Sequence, residues 1–172
     1  MTQPRAAVIL AAGLGTRMKS ELPKCMHKVG GRPMLEWSID LARKVGAEKI
    51  VTVYGKKSPQ IGELGKQNET LTALQNPPMG TGHAVQAAEA ALDGFDGNAV
   101  VLFGDTPLIT PETVEKVFAE LEAGASVAVL GFTPDDAAAY GRLVVENGVL
   151  DRIVEFKDAS AEERAIGFVN SG

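Results

Sequence analysis

Apolar runs and amphipathic segments alternate along most of the chain. Short, continuous apolar runs predict buried strands at residues 6–12, 49–54, 71–75, 99–103 and 126–130. Between them, helical patterns predict helices at 33–46, 58–66, 84–92 and 110–124, the last opened by Thr110-Pro111 and closed by Gly124. Strands separated by helices of this length indicate a mainly parallel sheet with helices on both faces.

The pattern changes in the last third of the chain. Asn147-Gly148 is a two-residue hairpin signal between predicted strands at 142–146 and 149–155. A short helix at 161–164 precedes the start of a further strand in 167–172. We therefore predict an α/β fold, a Rossmann-like three-layer sandwich with a β-hairpin insertion near the C-terminal end. Since no repeat or linker interrupts it, residues 1–172 are expected to form one domain.

Composition excludes several classes of protein. The 172 residues carry a net charge of −5 and only 5% aromatic side chains, which argues against a nucleic-acid partner. No apolar run approaches the roughly 20 residues that span a bilayer, so no membrane partner is expected. Cys25 is the only cysteine, so no internal disulfide can form, and the cytoplasm is the expected compartment.

The average charge hides an asymmetry. Residues 1–60 hold eleven Lys and Arg against four Asp and Glu, whereas the remainder is strongly acidic. A basic first third suits a small anionic ligand bound near the N-terminus, although a solvated basic face would give the same count.

A glycine-rich loop follows the first predicted strand. Gly13 and Gly15 let the backbone approach a ligand and direct N–H groups at anionic oxygens, while Arg17 and Lys24 supply positive charge. The ATPase phosphate-loop string is absent, and Met18 stands where the dinucleotide fingerprint needs its third glycine. On these residues alone, a tight turn with surface cations remains an alternative.

The string Leu-Ala-Ala-Gly-Leu-Gly-Thr-Arg-Met at 10–18, followed by Leu22-Pro23-Lys24, resembles the signature of nucleotide-sugar pyrophosphorylases and related nucleotidyltransferases. The resemblance implies that the loop wraps a nucleoside triphosphate and that Arg17 and Lys24 contact its phosphates. It does not separate uridyl, thymidyl, guanylyl and cytidylyl transferases.

A second set of residues indicates which base the bound nucleotide carries. Gln75 offers an acceptor and a donor that suit the edge of a uracil ring, although on its own it could equally be a polar residue at a strand end. Gly80 and Thr81 form a turn whose backbone can hydrogen-bond the base. With the string at 20–27, these residues resemble the family of bifunctional N-acetylglucosamine-1-phosphate uridyltransferases and glucosamine-1-phosphate acetyltransferases. The nucleotide contacts that this resemblance implies are Leu10, Ala11, Ala12, Gly13, Gly15, Thr16, Arg17, Lys24, Gln75, Gly80 and Thr81. His27 and His83 are interpreted as packing residues, and Cys25 as unreactive.

Further residues are expected to bind metal and sugar. Asp105 ends the fourth predicted strand; it could be a simple turn residue, but the resemblance implies a Mg²⁺ ligand. Phe103 stands where some relatives carry Tyr, and Asn170-Ser-Gly where the family usually has Asn-Thr-Gly. Without the resemblance, Glu155 would be interpreted as an exposed strand carboxylate. The sugar contacts implied are Phe103, Gly104, Asp105, Gly141, Glu155 and Asn170.

The expected reaction is transfer of the uridylyl group of UTP to N-acetylglucosamine-1-phosphate, which gives UDP-N-acetylglucosamine for cell-wall precursors and pyrophosphate. The expected catalytic residues are Arg17, Lys24 and Asp105. The alternatives are a related sugar thymidylyltransferase, a molybdenum-cofactor guanylyl or cytidylyl transferase, and a non-catalytic nucleotide-binding module. In the resembled family the domain continues and supplies a second Mg²⁺ ligand, and a β-helix domain follows. The domain is therefore expected to be incomplete, and a monomer is expected without the trimer-forming β-helix.

Overall fold

The computed structural model describes residues 3–13, 15 and 18–171. They group into two compact units, Met1–Gly124 and Ala125–Gly172, which are described separately. The single domain expected from the sequence remains a prediction. In the part of the chain that the structure describes, no helix is long and apolar enough to cross a membrane.

The first unit contains a parallel sheet and helices. Its strands are β1 (Arg5–Leu10), β2 (Lys28–Val29), β3 (Arg32–Pro33), β4 (Lys49–Gly55), β5 (Leu71–Gln75) and β6 (Asn98–Phe103). Its helices are α1 (Met34–Lys44), α2 (Pro59–Gln67), α3 (Thr81–Ala87) and α4 (Pro111–Glu122). The main sheet has the order β5-β4-β1-β6 with every neighbouring pair parallel, while β2 and β3 form a separate short hairpin.

Strand β1 lies between β4 and β6, and Leu10 at its end is level with Val53 and Phe103. The chain places β4 and then β5 on one side of β1 before β6 forms on the other side. The order of strands therefore reverses beside β1, which makes its carboxyl end the point where open α/β sheets bind ligands.

Both faces of this sheet are covered, as predicted. Ala7, Ile9 and Ala11 of the β1 segment pack with α1, α2 and α4, and Val8 and Leu10 pack toward α3. All five of these side chains are buried. The continuous apolar run at β1 follows from burial on both faces, since each successive side chain points to the opposite face.

Helix ends follow the sequence signals. The Thr110 side chain accepts a hydrogen bond from the Thr113 N–H at 3.3 Å, with Pro111 in the first turn of α4. Gly124, at a φ of +105°, donates its N–H to the Leu121 carbonyl oxygen at 3.0 Å and ends that helix. The prediction for α3 was less accurate, because the α-helix begins directly after Gly80 and only a 3₁₀ turn, Glu89–Leu92, continues it.

The second unit is an antiparallel sheet with one short helix. Its elements are β7 (Gly131–Phe132), β8 (Arg142–Glu146), β9 (Val149–Val154), α5 (Ala161–Arg164) and β10 (Val169–Asn170), and the strand order is β7-β10-β8-β9. The predicted hairpin is confirmed, since Asn147 and Gly148 have φ values of +52° and +80° between β8 and β9.

The predicted strand at 126–130 is wrong. These residues form no strand, and the Val127 side chain is 75% exposed. Only the two residues of β7 that follow are extended and paired, with β10. An apolar run becomes a buried strand only where neighbouring strands pair with it, and none of the described strand pairs includes residues 126–130.

Helix α2 contains two glycines, Gly62 and Gly65, which have low helix propensity but explain how the helix packs. A Cβ atom on Gly62 would lie 3.0 Å from the Tyr54 ring, and one on Gly65 would lie 3.0 Å from the Thr70 Oγ1 and 3.1 Å from the Thr52 Cβ. The hydroxyls of Thr52 and Thr70 are 2.9 Å apart in a buried hydrogen bond. The glycines therefore allow α2 to lie close to the sheet.

We predict that Gly65→Ala lowers the free energy of unfolding by about 1–3 kcal/mol, because the added methyl group crowds the Thr52–Thr70 pair. The matched control is Gly82→Ala in α3, where a Cβ meets nothing within 4 Å and helix propensity favours alanine. Urea unfolding followed by circular dichroism measures both variants. Equal stabilities for the two alanine variants would contradict this account of α2.

Candidate functional site

A cleft of about 610 Å³ lies in the first unit at the carboxyl ends of its parallel strands. Of the eleven predicted nucleotide contacts, nine are described by the structure, and all nine line this cleft. They are Leu10, Ala11, Ala12, Gly13, Gly15, Lys24, Gln75, Gly80 and Thr81. Thr16 and Arg17 lie outside the described residues.

The glycine-rich turn after β1 forms one wall of the cleft. Gly15 has a φ of +58°, and a Cβ atom there would lie 2.8 Å from the Lys24 Cβ. Only glycine therefore lets this turn approach the Lys24 segment so closely. Gly13 has nothing within 4 Å of its hypothetical Cβ, so its backbone is open to a ligand.

Lys24 and Asp105 face each other across the cleft as an ion pair between Nζ and Oδ2. Lys24 begins a 3₁₀ turn (Lys24–Met26), and Asp105 follows β6 and Gly104. The Gly104 N–H donates to the Leu10 carbonyl oxygen at 3.0 Å, which ties the start of this segment to β1. The side chains are 37% and 24% exposed, so both charges can reach a bound ligand.

The end of β6 is fixed by side-chain hydrogen bonds. The Phe103 carbonyl oxygen accepts from Ser38 Oγ at 2.9 Å and from Thr106 Oγ1 at 3.0 Å. Phe103 and Asp105, two of the predicted sugar contacts, line the same cleft as the nucleotide residues. Gly104 lies between them, and a Cβ on it would be 3.1 Å from the Cys25 Sγ.

Cys25 also lines the cleft, although its side chain is buried. Burial, followed by the negative charge of Asp105, raises the pKa of the thiol to about 12, and the nearby Lys24 only partly opposes this. The thiol therefore stays protonated at neutral pH, which agrees with its interpretation as unreactive.

The carboxylates of the described residues can be compared with the ligand sets that proteins use for metals. Among the residues that the structure describes, no group of three or more His, Cys, Asp or Glu side chains is placed to hold a metal. Mg²⁺ keeps several waters and is commonly bound by one or two carboxylates together with substrate phosphates. Asp105 in an open cleft fits that pattern, and a structural zinc site does not.

Gln75 ends β5 and is 4% exposed. Its Nε2 donates to the Gly80 carbonyl oxygen at 2.9 Å and lies 3.2 Å from the His83 Nδ1. The predicted turn is formed by Gly80, whose φ of +97° favours glycine before α3 begins. Sequence reasoning missed the contact between Gln75 and His83, although the spacing Gly80-x-x-His83 places His83 in the first helical turn.

Three other lining residues, Met18, Pro78 and Ala84, were not among the predicted contacts. None of them carries a polar side chain that would indicate a ligand contact from the sequence.

The remaining predicted sugar contacts lie together in the second unit. The Asn170 N–H donates to the Gly141 carbonyl oxygen at 2.8 Å, and a Cβ on Gly141 would lie 3.8 Å from the Glu155 Oε1. The Asn170 Oδ1 is buried and has no hydrogen-bond partner among the described residues. A buried acceptor without a partner costs free energy unless another group satisfies it.

Comparison with known proteins identifies the family. The model of the MobA-like NTP transferase domain matches residues 7–166. The chain is 62% identical over 173 residues to the bifunctional protein GlmU of Maricaulis maris, covering 100% of this chain and 38% of that protein. It is 52% identical over 171 residues to the bifunctional protein GlmU of Hyphomonas neptunium, covering 98% and 37%. The chain thus spans less than two fifths of these relatives.

Solved structures share the fold. UDP-glucose pyrophosphorylase from Acinetobacter baumanii has a TM-score of 0.75 at 21% identity, covering 98% of this chain and 73% of that one. HddC from Yersinia pseudotuberculosis has a TM-score of 0.70 at 25% identity, covering 97% and 74%. The α/β fold predicted from the sequence, and the resemblance to nucleotide-sugar nucleotidyltransferases, are both confirmed. With the cleft where its glycine-rich loop, Lys24 and Asp105 meet, this chain belongs to the family of MobA-like NTP transferase domains.

Proposed function

We propose that the chain forms the nucleotide-binding part of an enzyme that transfers a uridylyl group from UTP to N-acetylglucosamine-1-phosphate. The single observation that carries the proposal is the cleft, which collects the glycine-rich loop, Lys24, Asp105 and Gln75 at the ligand-binding edge of the sheet. The likeness to GlmU proteins and the matching NTP transferase domain support nucleotidyl transfer, and the residues around Gln75 and Gly80 suggest the choice of UTP.

The phosphates would lie against the turn at Gly13 and Gly15. Backbone N–H groups of such a turn can donate to anionic oxygens, and the Lys24 ammonium adds a mobile positive charge. Arg17, which lies outside the described residues, is predicted to bind the same phosphates. These groups neutralise charge that develops on the phosphates during transfer, and their fixed positions avoid the cost of reorienting water.

Asp105 is the residue that would hold Mg²⁺. The ion, when bound, would offset the charge of the triphosphate and orient its oxygens. Asp105 also pairs with Lys24, so the carboxylate and the ammonium lie close enough to contact the same ligand.

The transfer itself needs no general base. An oxygen of the sugar phosphate forms a bond to the α-phosphorus of UTP, and the bond from that phosphorus to the pyrophosphate oxygen breaks. A phosphate monoester has a second pKa of about 6 and is therefore mostly dianionic at neutral pH. Catalysis is then positioning and charge neutralisation, which agrees with the functional groups that line the cleft.

Within the second unit, we assign sugar binding to Gly141, Glu155 and Asn170. The buried Asn170 Oδ1, unpartnered among the described residues, supports this, because an amide acceptor of this kind suits a hydroxyl or acetamido N–H donor. The product would serve cell-wall and lipopolysaccharide precursor synthesis in the cytoplasm.

We predict that pyrophosphate is released from UTP and N-acetylglucosamine-1-phosphate with Mg²⁺, and much more slowly from GTP, CTP or dTTP. A coupled pyrophosphate assay on this chain measures all four. Release with another triphosphate would instead indicate a related transferase. Absence of release together with UTP binding would indicate a nucleotide-binding module, and absence of both would overturn the proposal.

Lys24→Ala is expected to lower kcat by at least about 100-fold, the usual effect of removing a group that stabilises charge in the transition state. Steady-state kinetics with UTP provide the measurement. Lys28→Ala is the matched control, since Lys28 is an exposed lysine of β2 that does not line the cleft. Similar kcat values for the two variants would remove Lys24 from the catalytic role.

Asp105→Asn is expected to raise the Mg²⁺ concentration needed for half-maximal rate, because the amide has lost the negative charge that attracts the cation. Binding of Mn²⁺ in the presence of UTP, followed by electron paramagnetic resonance, gives a second readout without turnover. The exposed Asp96 serves as control through Asp96→Asn. Unchanged Mn²⁺ affinity in Asp105→Asn would exclude Asp105 as the ligand.

A further inference from the structure

The amide nitrogen of Gln75 is fully used inside the protein. It carries two hydrogens; one is donated to the Gly80 carbonyl oxygen at 2.9 Å, and the other faces the His83 Nδ1 at 3.2 Å. Because Gln75 is 4% exposed, these partners replace water. Only the carbonyl oxygen, Oε1, remains to face a ligand in the cleft that Gln75 lines.

The Gly80 carbonyl oxygen indicates which end of the Gln75 amide is the nitrogen. The Gly80 carbonyl oxygen also accepts from the Ala84 N–H at 3.1 Å, so it is an acceptor in the first turn of α3. If the Gln75 amide were reversed, its Oε1 would face this carbonyl oxygen, and two acceptors would lie about 3 Å apart without a hydrogen between them. The hydrogen-bond network therefore assigns nitrogen to this position.

The same logic fixes the state of His83. The Gln75 Nε2 has only hydrogens to offer, so this hydrogen bond requires the His83 Nδ1 to accept, which is the tautomer with its hydrogen on Nε2. The other tautomer, or the imidazolium, would place an N–H against an N–H. His83 contributes an acceptor here, which goes beyond the packing role that the sequence indicated.

We propose that His83 is a positioning residue for base selection. By accepting from the Gln75 Nε2, it keeps the Gln75 Oε1 directed at the base as an acceptor, and this selects a pyrimidine whose N3 carries a hydrogen. The inference rests on the proposed function, since it takes the base of the nucleotide to lie at Gln75.

The chemistry of the two pyrimidines explains the selection. The N3 of uracil is a donor, and Gln75 Oε1 would accept its hydrogen. The N3 of cytosine is an acceptor, so in the same position two acceptors would oppose each other, and a buried polar group would be left unpaired. If the Gln75 amide could turn over, Nε2 would face the base and cytosine would no longer be rejected.

The test measures the affinities of UTP and CTP for three variants by titration calorimetry. His83→Leu fills a similar space without an acceptor, and His83→Asn retains an acceptor near the position of Nδ1. We expect His83→Leu to reduce the ratio of UTP to CTP affinity about tenfold, the effect of losing one hydrogen bond to a buried amide. His83→Asn should retain most of the ratio. Gln86→Leu, on an exposed position of the same helix, should retain all of it.

A packing role for His83 gives a different result. In that case the affinities for UTP and CTP fall together in His83→Leu, the ratio stays constant, and the inference is overturned. If the wild-type chain itself does not prefer UTP to CTP, the proposed base is wrong and the inference falls with it. Preference in the wild type with an unchanged ratio in His83→Leu overturns the inference alone.

A spectroscopic measurement on the unmutated chain makes the test independent of folding defects in a variant. The ¹⁵N chemical shifts of an imidazole distinguish a protonated from an unprotonated ring nitrogen. For His83 we expect an unprotonated Nδ1 and a protonated Nε2 at neutral pH. A protonated Nδ1 would overturn the inference whatever the nucleotide affinities.

Discussion

The parallel pairing of β1 on both sides is the constraint on which the cleft depends. Backbone hydrogen bonds to β4 and β6 hold β1 in the middle of the sheet, and its end is level with the ends of its neighbours. The Ala11 N–H extends this pattern by donating to the Val53 carbonyl oxygen at 2.9 Å, and Gly104 does the same toward Leu10. The turn at Gly13, the Asp105 segment and the end of β4 therefore leave the sheet at one edge. A ligand at that edge contacts residues far apart in the chain.

The two ends of the cleft differ in the groups that line them: one end carries opposite charges, and the other carries a fixed amide. Lys24 and Asp105 form the charged end, with one positive and one negative side chain. Gln75 and the turn at Gly80 form the other end, where directional hydrogen bonds replace net charge. A nucleotide has the same division, with charge in its phosphates and directional donors and acceptors in its base.

Much of this could be predicted from the sequence, for reasons that are local. The run at β1 is apolar at every position because both faces are buried, and the glycines after it signal a close turn. Asn147-Gly148 selects its hairpin through backbone conformation alone. In each case the information lies within about ten residues, so tertiary contacts had little to alter.

The features that sequence reasoning missed or predicted wrongly are those that depend on tertiary contacts. Residues 126–130 have the composition of a strand, but composition does not reveal whether a pairing partner is adjacent. Gly62 and Gly65 have low helix propensity, and their benefit, close approach to Tyr54 and Thr52, exists only after folding. The bond between Gln75 and His83 was missed for the same reason, since it joins the end of a strand to the start of a helix.

The buried thiol of Cys25 has a consequence for how this protein meets oxidative stress. Peroxides and electrophiles attack thiolates, and a pKa of about 12 leaves on the order of one thiolate in 10⁵ molecules at neutral pH. The side chain nevertheless lines the cleft in which we propose that a triphosphate binds. The Cys25 sulfur therefore serves as a small apolar group in the lining of the cleft. It stays unreactive under oxidising conditions that would inactivate an enzyme with a reactive cysteine at this position.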